Sequence, residues 1–318
     1  MGCWAIGGPW TFKGGAAGWG QIDYGESIRA IHLAMDMGVN LFDTAANYGC
    51  GHSERVLGKA INGRRDQVVI ATKFGYSVGE SAKEVQPYDD DEESGDIASR
   101  LRADCEASLV RLKTDHIDIY QLHVWGYDIA KSRQVRNALE ALVSEGKIRA
   151  YGWSTGRVGA VRDFAEGPNC TAVQQQLNMF QGNQDLLNLC QELNLASLNR
   201  GPLGMGILTG KFTPDSTFND DDVRSRASEL FPGLSGECVN PEWLEKLEAL
   251  REILTSSGRT LAQGALAWIW AARPMNVPIP GFKTAKQVKQ NAGATRFVPL
   301  SETQMEEINT LLERKPVL

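Results

Sequence analysis

Three apolar runs early in the chain each close on a residue that can carry or move a proton. "VNLFD" ends in Asp43, "QVVIATK" in Lys73 and "HIDIYQLH" in His123, and Tyr48 follows Asp43 by five residues. Were these runs neighbouring parallel strands, a carboxylate, an ammonium and an imidazole would meet at one end of a sheet, with a phenol beside them. A tyrosine hydroxyl, with a reference pKa of about 10, is a weak proton donor at neutral pH. A nearby ammonium stabilises the phenolate and lowers that pKa, and a carboxylate holds the ammonium charged and in place. An imidazole can donate a hydrogen bond to a substrate oxygen and orient it. The set suits protonation of an alkoxide as it forms on a carbonyl.

Each residue alone has an ordinary explanation. Asp43 and Asn47 could serve a polar turn that leaves Tyr48 exposed. A single Asp or Lys at a strand end is more often part of a structural ion pair than a catalyst, and a lone His123 more often a hydrogen-bonded core residue. Their joint occurrence on successive strands favours the catalytic reading.

The elements that must position these residues alternate in type. Helical periodicity predicts helices over 26–37 (Ile28, Ile31 and Met35 on one face), 96–112, 136–144, 241–256 and 260–272. The helix over 241–256 is amphipathic through Trp243, Leu247, Leu250 and Leu254. Strands are expected over 39–43, 67–73, 116–123, 148–154, 172–176, 195–199 and 277–280, most of them apolar on both faces, as in a buried parallel sheet. With a truncated first strand over 3–6 there are about eight strand–helix units, which matches an α/β fold of the (β/α)8 (TIM) barrel type. Extra C-terminal helices and long loops over the active-site mouth complete the expected architecture, read as one domain over 1–318. Residues 76–95, with "YDDDEESG", read as a solvated loop, and 211–240 as a long loop over one mouth of the barrel.

The 318 residues are 42% hydrophobic, enough for a large core, and carry a net charge of −6. That balance argues against nucleic acid or an acidic membrane surface as a partner. Six scattered cysteines form no C-x-x-C, so reduced thiols are expected. No apolar run is long enough to span a bilayer, and the N-terminus carries no basic-plus-apolar signal, so a cytoplasmic location is the expectation. The stretch "GMGILTGKF" fails the spacing of both G-x-x-x-x-G-K-[ST] and G-x-G-x-x-G. The four histidines show no metal-binding spacing, and no metal site is expected.

Beyond these readings, "GVNLFDTAANYGCGHSERVLGKA" resembles the signature of the aldo-keto reductases. "IATKFG", "DIYQLH", "RAYGWS" and "IPGFKTAKQVKQN" follow in the family's order, and the likeness covers nearly the whole chain. The resemblance implies a (β/α)8 barrel that binds NADPH and reversibly reduces an aldehyde or ketone. It implies a tetrad of Asp43, Tyr48, Lys73 and His123, with Tyr48 as general acid. It assigns the nicotinamide amide to Ser154, Thr155 (where the family usually has Asn) and Gln174. It places Gly201, Pro202, Leu203, Gly206 and Lys211 along the pyrophosphate, and Gly281, Lys283, Gln287, Gln290 and Asn291 at the adenosine end. Lys283, with Arg224 or Arg226, would favour the 2′-phosphate. Trp4, Tyr76 and Trp125 would line the substrate pocket, with Trp4 also bordering the cofactor.

The chain departs from the family pattern in three places. Arg200 stands where an aromatic residue often stacks on the nicotinamide, and a planar guanidinium can also stack on a ring. Leu177 stands where tyrosine is common. "MGCWAIGG" resembles a motif usually preceded by a short segment, which would leave the barrel bottom less well covered. A second reading is a non-catalytic NADPH-binding module resembling the β-subunits of potassium channels, but those relatives carry Asn where this chain has His123. A metal-dependent barrel hydrolase would lack its ligands.

Overall fold

Alternating apolar strands and amphipathic helices fold, in the computed structural model, into a closed ring of parallel strands. The structure describes residues 1–88, 97–229, 233–234 and 238–313. Its strands are β1 (Thr11–Phe12), β2 (Gly15–Ala16), β3 (Leu41–Asp43), β4 (Val69–Phe74), β5 (Tyr76–Gly79), β6 (Glu84–Pro87), β7 (Ile117–Leu122), β8 (Ile148–Ser154), β9 (Cys170–Gln176), β10 (Ala196–Arg200) and β11 (Asn276–Pro278). Seven of them form one sheet in the order β3-β4-β7-β8-β9-β10-β11, with every neighbouring pair parallel. Gly2 joins the two ends, pairing in parallel with both Asp43 and Gly281. The ring is therefore a barrel, as its sequence pattern predicts.

The main helices follow their strands: α1 (Tyr24–Asp36), α2 (His52–Ala60), α3 (Ile97–Leu112), α4 (Ile129–Ser144), α5 (Val158–Phe164), α6 (Gln184–Glu192), α7 (Pro241–Ala249), α8 (Arg251–Thr255), α9 (Leu261–Ala272), α10 (Ala285–Ala292) and α11 (Glu302–Leu311). Local capping sets many of the starts. Asp23 caps α1, Asp128 caps α4, and Thr260, Thr284 and Ser301 form capping boxes with Gln263, Gln287 and Gln304. Phe42, Ile70, Tyr120 and Trp153 belong to the large apolar layer on one side of the barrel. Trp268 and its neighbours on α9 build a second layer against α7, α8 and α11.

The interior of the ring explains where polar chemistry begins. Ala71, Ala172 and Leu198 pack with Leu41, Ile119 and Val277 as an apolar plug. Side chains two residues further along a strand point the same way. One layer above the plug the inward positions are Asp43, Lys73, Gln121 and Gln174, all buried. Four strands thus change from apolar to polar in step, at the end where they run into their following loops.

Several expectations need correction. The first strand is not an extended run over 3–6. Pairing is confined to residues 1–3, through Asp43 N–H to Met1 O at 2.9 Å, Gly2 N–H to Pro280 O at 2.9 Å and Cys3 N–H to Asp43 O at 2.7 Å. Ala5–Gly7 then winds into a 3-10 turn. Residues 76–88 are not a solvated loop but a hairpin of β5 and β6. It joins β1 and β2 in a second sheet of order β2-β1-β6-β5, with Val85 fully buried. The alternation of Tyr76, Val78 and Val85 is a strand signal that the adjoining acidic run obscures; that run, 89–93, lies outside the described residues. Helix α4 begins well before residue 136, because Asp128 caps it and Ser132 and Val135 continue its buried face. The expected helix over 241–256 is two helices, parted at Leu250, which ends the first and starts the second at φ −89° and ψ −9°.

Candidate active site

The loop after β3 is folded tightly enough to aim Tyr48 inward. Tyr48 N–H donates to Ala45 O at 3.2 Å, and Tyr48 O accepts from Ser53 N–H at 3.2 Å. Ser53 Oγ bridges to Thr44 Oγ1 and Cys3 O, tying the loop to the N-terminal turn. The two turns approach so closely that only glycine fits on either side. A Cβ on Gly49, at φ +62°, would lie 1.9 Å from Gly7 O, and one on Gly7 would lie 2.8 Å from Gly49 N.

Lys73, on β4, is the hub. Its ammonium donates to Asp43 Oδ1 at 2.7 Å, to Thr44 O at 2.8 Å and to Tyr48 OH at 3.2 Å. An ammonium has three hydrogens and all three are used. Asp43 Oδ2 accepts from Gln174 Nε2 at 2.7 Å and from Gln121 Nε2 at 3.4 Å. The Lys73–Asp43 pair is sealed from solvent, so its charges meet with little screening. Burial works to lower the Lys73 pKa, but Asp43 and Tyr48 outweigh it, and Lys73 stays above its ordinary value.

Tyr48 differs from the sequence expectation. Lys73 does pull its pKa down, but burial pushes it up more strongly, so the phenol titrates above its usual value. The physical reason is that the same sealed layer that brings the ammonium close also removes the water a phenolate would need. Tyr48 is therefore held in its acid form. Because its oxygen accepts from Lys73, its own O–H is left to point elsewhere.

His123 follows β7, with its backbone N–H on Phe74 O at 2.9 Å. Its ring stands edge-on to Tyr48 (centroids 5.8 Å apart) and to Tyr76 (5.4 Å). Burial, with Lys73 and Arg200 nearby, holds its pKa well below the usual imidazole value, so the ring is neutral. Nδ1 lies 3.2 Å from Asn47 Oδ1. Trp4 stacks on Tyr48 at 5.9 Å and donates its indole N–H to Ala17 O at 2.9 Å. Trp4 and Tyr76 thus flank the tetrad. Trp125 stands apart, 56% exposed, in a cleft with Gly156, Gln176, Gln181, Asn183 and Arg200.

The residues assigned to NADPH fall into three groups. Ser154 ends β8 in register with Gln174 on β9, both buried. The amide of Gln174 is engaged by Asp43, and Thr155 Oγ1 is bonded to Trp125 O at 3.1 Å. Arg200 donates to Gln176 Oε1 at 2.7 Å, and the buried Leu177 packs in the layer around α9. Gly201, Pro202 and Leu203 lead into a 3-10 turn, Gly204–Thr209, in which Met205 and Gly206 take left-handed conformations.

Beyond that turn, three cations gather. Arg224 forms a two-pronged pair with Asp222, the closer contact 2.6 Å, and its guanidinium lies over Trp19 at 5.0 Å and Phe218 at 4.8 Å. Lys283 donates to Trp19 O. Burial lowers the pKa values of both Lys211 and Lys283, and the neighbouring Arg224 lowers them further. This crowding of like charge around the Asp222 carboxylate is what a phosphate would relieve, so the residues present fit the cofactor.

Other assigned residues sit apart or serve the fold. Arg226 donates to Phe12 O at 3.4 Å, beside the β1–β2 hairpin. Gln287 accepts from Lys283 N–H and Thr284 N–H, capping α10, and Gln290 donates to Thr260 Oγ1 at 3.1 Å. Asn291 Nδ2 holds Gly281 O at 3.2 Å. Sequence reasoning missed Gln121 and the carbonyl of Thr44. Gln121 had a signal, a polar residue inside the apolar "IDIYQL"; the carbonyl had none. Among the described residues no group of His, Cys, Asp and Glu is gathered so as to hold a metal ion, and no helix is long and apolar enough to cross a membrane.

Residues 1–313 match the model of the Aldo/keto reductase family. The chain is 31% identical to the aldo-keto reductase YhdN of Bacillus subtilis, across 98% of this chain and 89% of that protein. The glycerol dehydrogenase AKR11B4 from Gluconobacter oxydans has a similar structure, with a TM-score of 0.82 at 30% identity over 98% of this chain and 90% of that one. An aldo-keto reductase from Klebsiella pneumoniae, solved in complex with NADPH, aligns with a TM-score of 0.65 at 27% identity, over 97% and 90% of the two chains.

Proposed function

Because this chain belongs to the aldo/keto reductase family, we propose that it is an NADPH-dependent reductase that converts an aldehyde or ketone to an alcohol, reversibly, with Tyr48 as the general acid. The observation that carries this reading is the direction of the Lys73–Tyr48 contact. Lys73 can only donate, so the Tyr48 oxygen accepts from it at 3.2 Å and the phenolic proton is free for a substrate oxygen.

NADPH, when bound, supplies the hydride to the carbonyl carbon. Lys211, Arg224 and Lys283 would hold its phosphates, and Ser154 and Gln174 its amide end. Trp4, stacked on Tyr48, and Tyr76, edge-on to His123, would border the carbonyl with aromatic surface. As negative charge develops on the substrate oxygen, Tyr48 gives up its proton, and the adjacent Lys73 ammonium stabilises the phenolate left behind. Asp43 keeps Lys73 charged and aimed, and Gln121 and Gln174 keep Asp43 in place. In the reverse direction Tyr48 accepts the alcohol proton through the same contact.

The test is consumption of NADPH across a panel of aldehydes and ketones. Turnover of at least one class supports the reading. Tight NADPH binding with no carbonyl turned over would replace it with the non-catalytic binding module.

A further inference from the structure

Arg200 is a cation at the barrel mouth that no carboxylate answers. It closes β10 and pairs in register with Gln176, the last residue of β9. Gln176 Oε1 accepts from its guanidinium at 2.7 Å, and Gln176 Nε2 donates in turn to Gln181 Oε1 at 3.1 Å. Gly201 makes that packing possible, since at φ +61° a Cβ there would lie 2.4 Å from the Gln176 amide. Leu177 N–H holds the Arg200 carbonyl at 3.2 Å. Among the described residues no acidic side chain pairs with Arg200, and the side chain borders the open cleft beside Trp125.

Its charge is felt at the reacting groups. Burial sets the main shifts of Tyr48 and His123, and Lys73 acts on both. Arg200 adds to Lys73 from β10, three strands round the ring from β7, favouring phenolate at Tyr48 and the neutral ring at His123. The Lys73 charge is balanced by Asp43, so Arg200 leaves the described residues of the mouth with one net positive charge.

That excess bears on a hydride donor. A nicotinamide ring is neutral when reduced and positively charged when oxidised. To serve a carbonyl whose oxygen meets Tyr48, the ring must lie in the same mouth. Gln174, which would take its amide end, lies two residues before Gln176 on β9, and Arg200 closes the neighbouring strand. Like charges brought together in a site that excludes water repel strongly. A neutral ring meets no such repulsion from the guanidinium.

We propose that Arg200 sets the redox preference of the cofactor site: its fixed positive charge disfavours the oxidised nicotinamide, so the protein holds NADPH and releases NADP⁺. This rests on the NADPH-dependent reading above. At equal concentrations of the two forms the site fills with NADPH, and NADP⁺ inhibits reduction only weakly.

Binding tests this without turnover. In the full chain, Kd values for NADPH and NADP⁺ are measured by calorimetric titration, with 2′,5′-ADP, which lacks the nicotinamide, as the control ligand. The unmodified chain should bind NADPH about tenfold or more tighter than NADP⁺. Arg200→Gln should tighten NADP⁺ and bring the two Kd values to within about threefold, while Arg200→Lys, which keeps the charge, should retain most of the preference. Binding of 2′,5′-ADP should stay within about twofold throughout, which shows the variants folded and places the change at the nicotinamide. Where Arg200→Gln fails that control, the unmodified ratio and Arg200→Lys decide. Equal Kd values in the unmodified chain, a preference undiminished in Arg200→Gln, or one lost in Arg200→Lys would overturn the proposal. Failure to bind either dinucleotide would instead overturn the NADPH reading and the proposal with it. A preserved preference with no carbonyl turned over would overturn the reductase reading alone.

Discussion

Lys73 and Asp43 form an ion pair at 2.7 Å with side chains 0% and 3% exposed, and Tyr48 is the third member of the same contact. A charged pair this deep is stable only while both members are present, because either one alone would be a desolvated charge.

Asp43→Ala should therefore cost about 3–5 kcal/mol of folding stability, read from urea denaturation. It should also abolish most carbonyl reduction, since Lys73 loses the partner that keeps it charged. A loss below about 1 kcal/mol would show that the pair does not stabilise the barrel mouth as its burial implies.

The pH profile of reduction follows from the directions of two shifts. Tyr48 titrates above its usual value, so its acid form persists through neutral pH and is lost only on the alkaline side. His123 titrates well below its usual value, so it stays neutral on the acid side. The profile of kcat/KM should be flat around neutrality with an alkaline limb. Lys73→Met removes the one strong influence that lowers the Tyr48 pKa, so the surviving activity should show that limb moved to higher pH. A limb that moved to lower pH would contradict the assignment.

Cofactor selectivity should reside in the cation cluster. Arg224→Ala and Lys283→Ala should each weaken NADPH binding by roughly tenfold in a fluorescence titration, as expected for one lost charge-assisted contact. Binding of NADH should change far less, and the NADPH effect should shrink as salt is raised. Equal losses for both cofactors would place the 2′-phosphate elsewhere.

Glu54 gives a control for stability outside the site. It is fully buried on α2 and accepts from Thr72 Oγ1 at 2.6 Å on β4 and from Arg111 Nε at 2.6 Å on α3. Glu54→Ala should lower stability by about 3–5 kcal/mol, visible as a drop in Tm, because it removes the buried carboxylate paired with Arg111. At temperatures where the variant stays folded, kcat should be nearly unchanged.

The chain's own pattern announces the barrel. Continuous apolar runs such as "IDIYQL" mark buried parallel strands, and the periodic ridges between them mark the helices. The tetrad is legible for the same reason, since each member lies at or just beyond the end of such a run. Boundaries were less legible where a local cap decides, as at Asp128, or where a helix is interrupted at Leu250. The hairpin that brings Tyr76 against His123 was hidden by the acidic residues after it. The contacts of Gln121 with Asp43 and of Asn47 with His123 join residues 78 and 76 positions apart, which no local spacing reveals. The sign of the Tyr48 shift could not be read either, because it is set by how much water the fold excludes.

The central claim is that the Tyr48 phenol delivers the proton. Tyr48→Phe keeps the ring that stacks on Trp4 and removes only the hydroxyl. With a carbonyl turned over by the unmodified enzyme, kcat in Tyr48→Phe should fall by about 10²–10⁴-fold, while the Kd for NADPH measured on the same preparation stays within about twofold. Equal kcat in the two proteins would contradict the account.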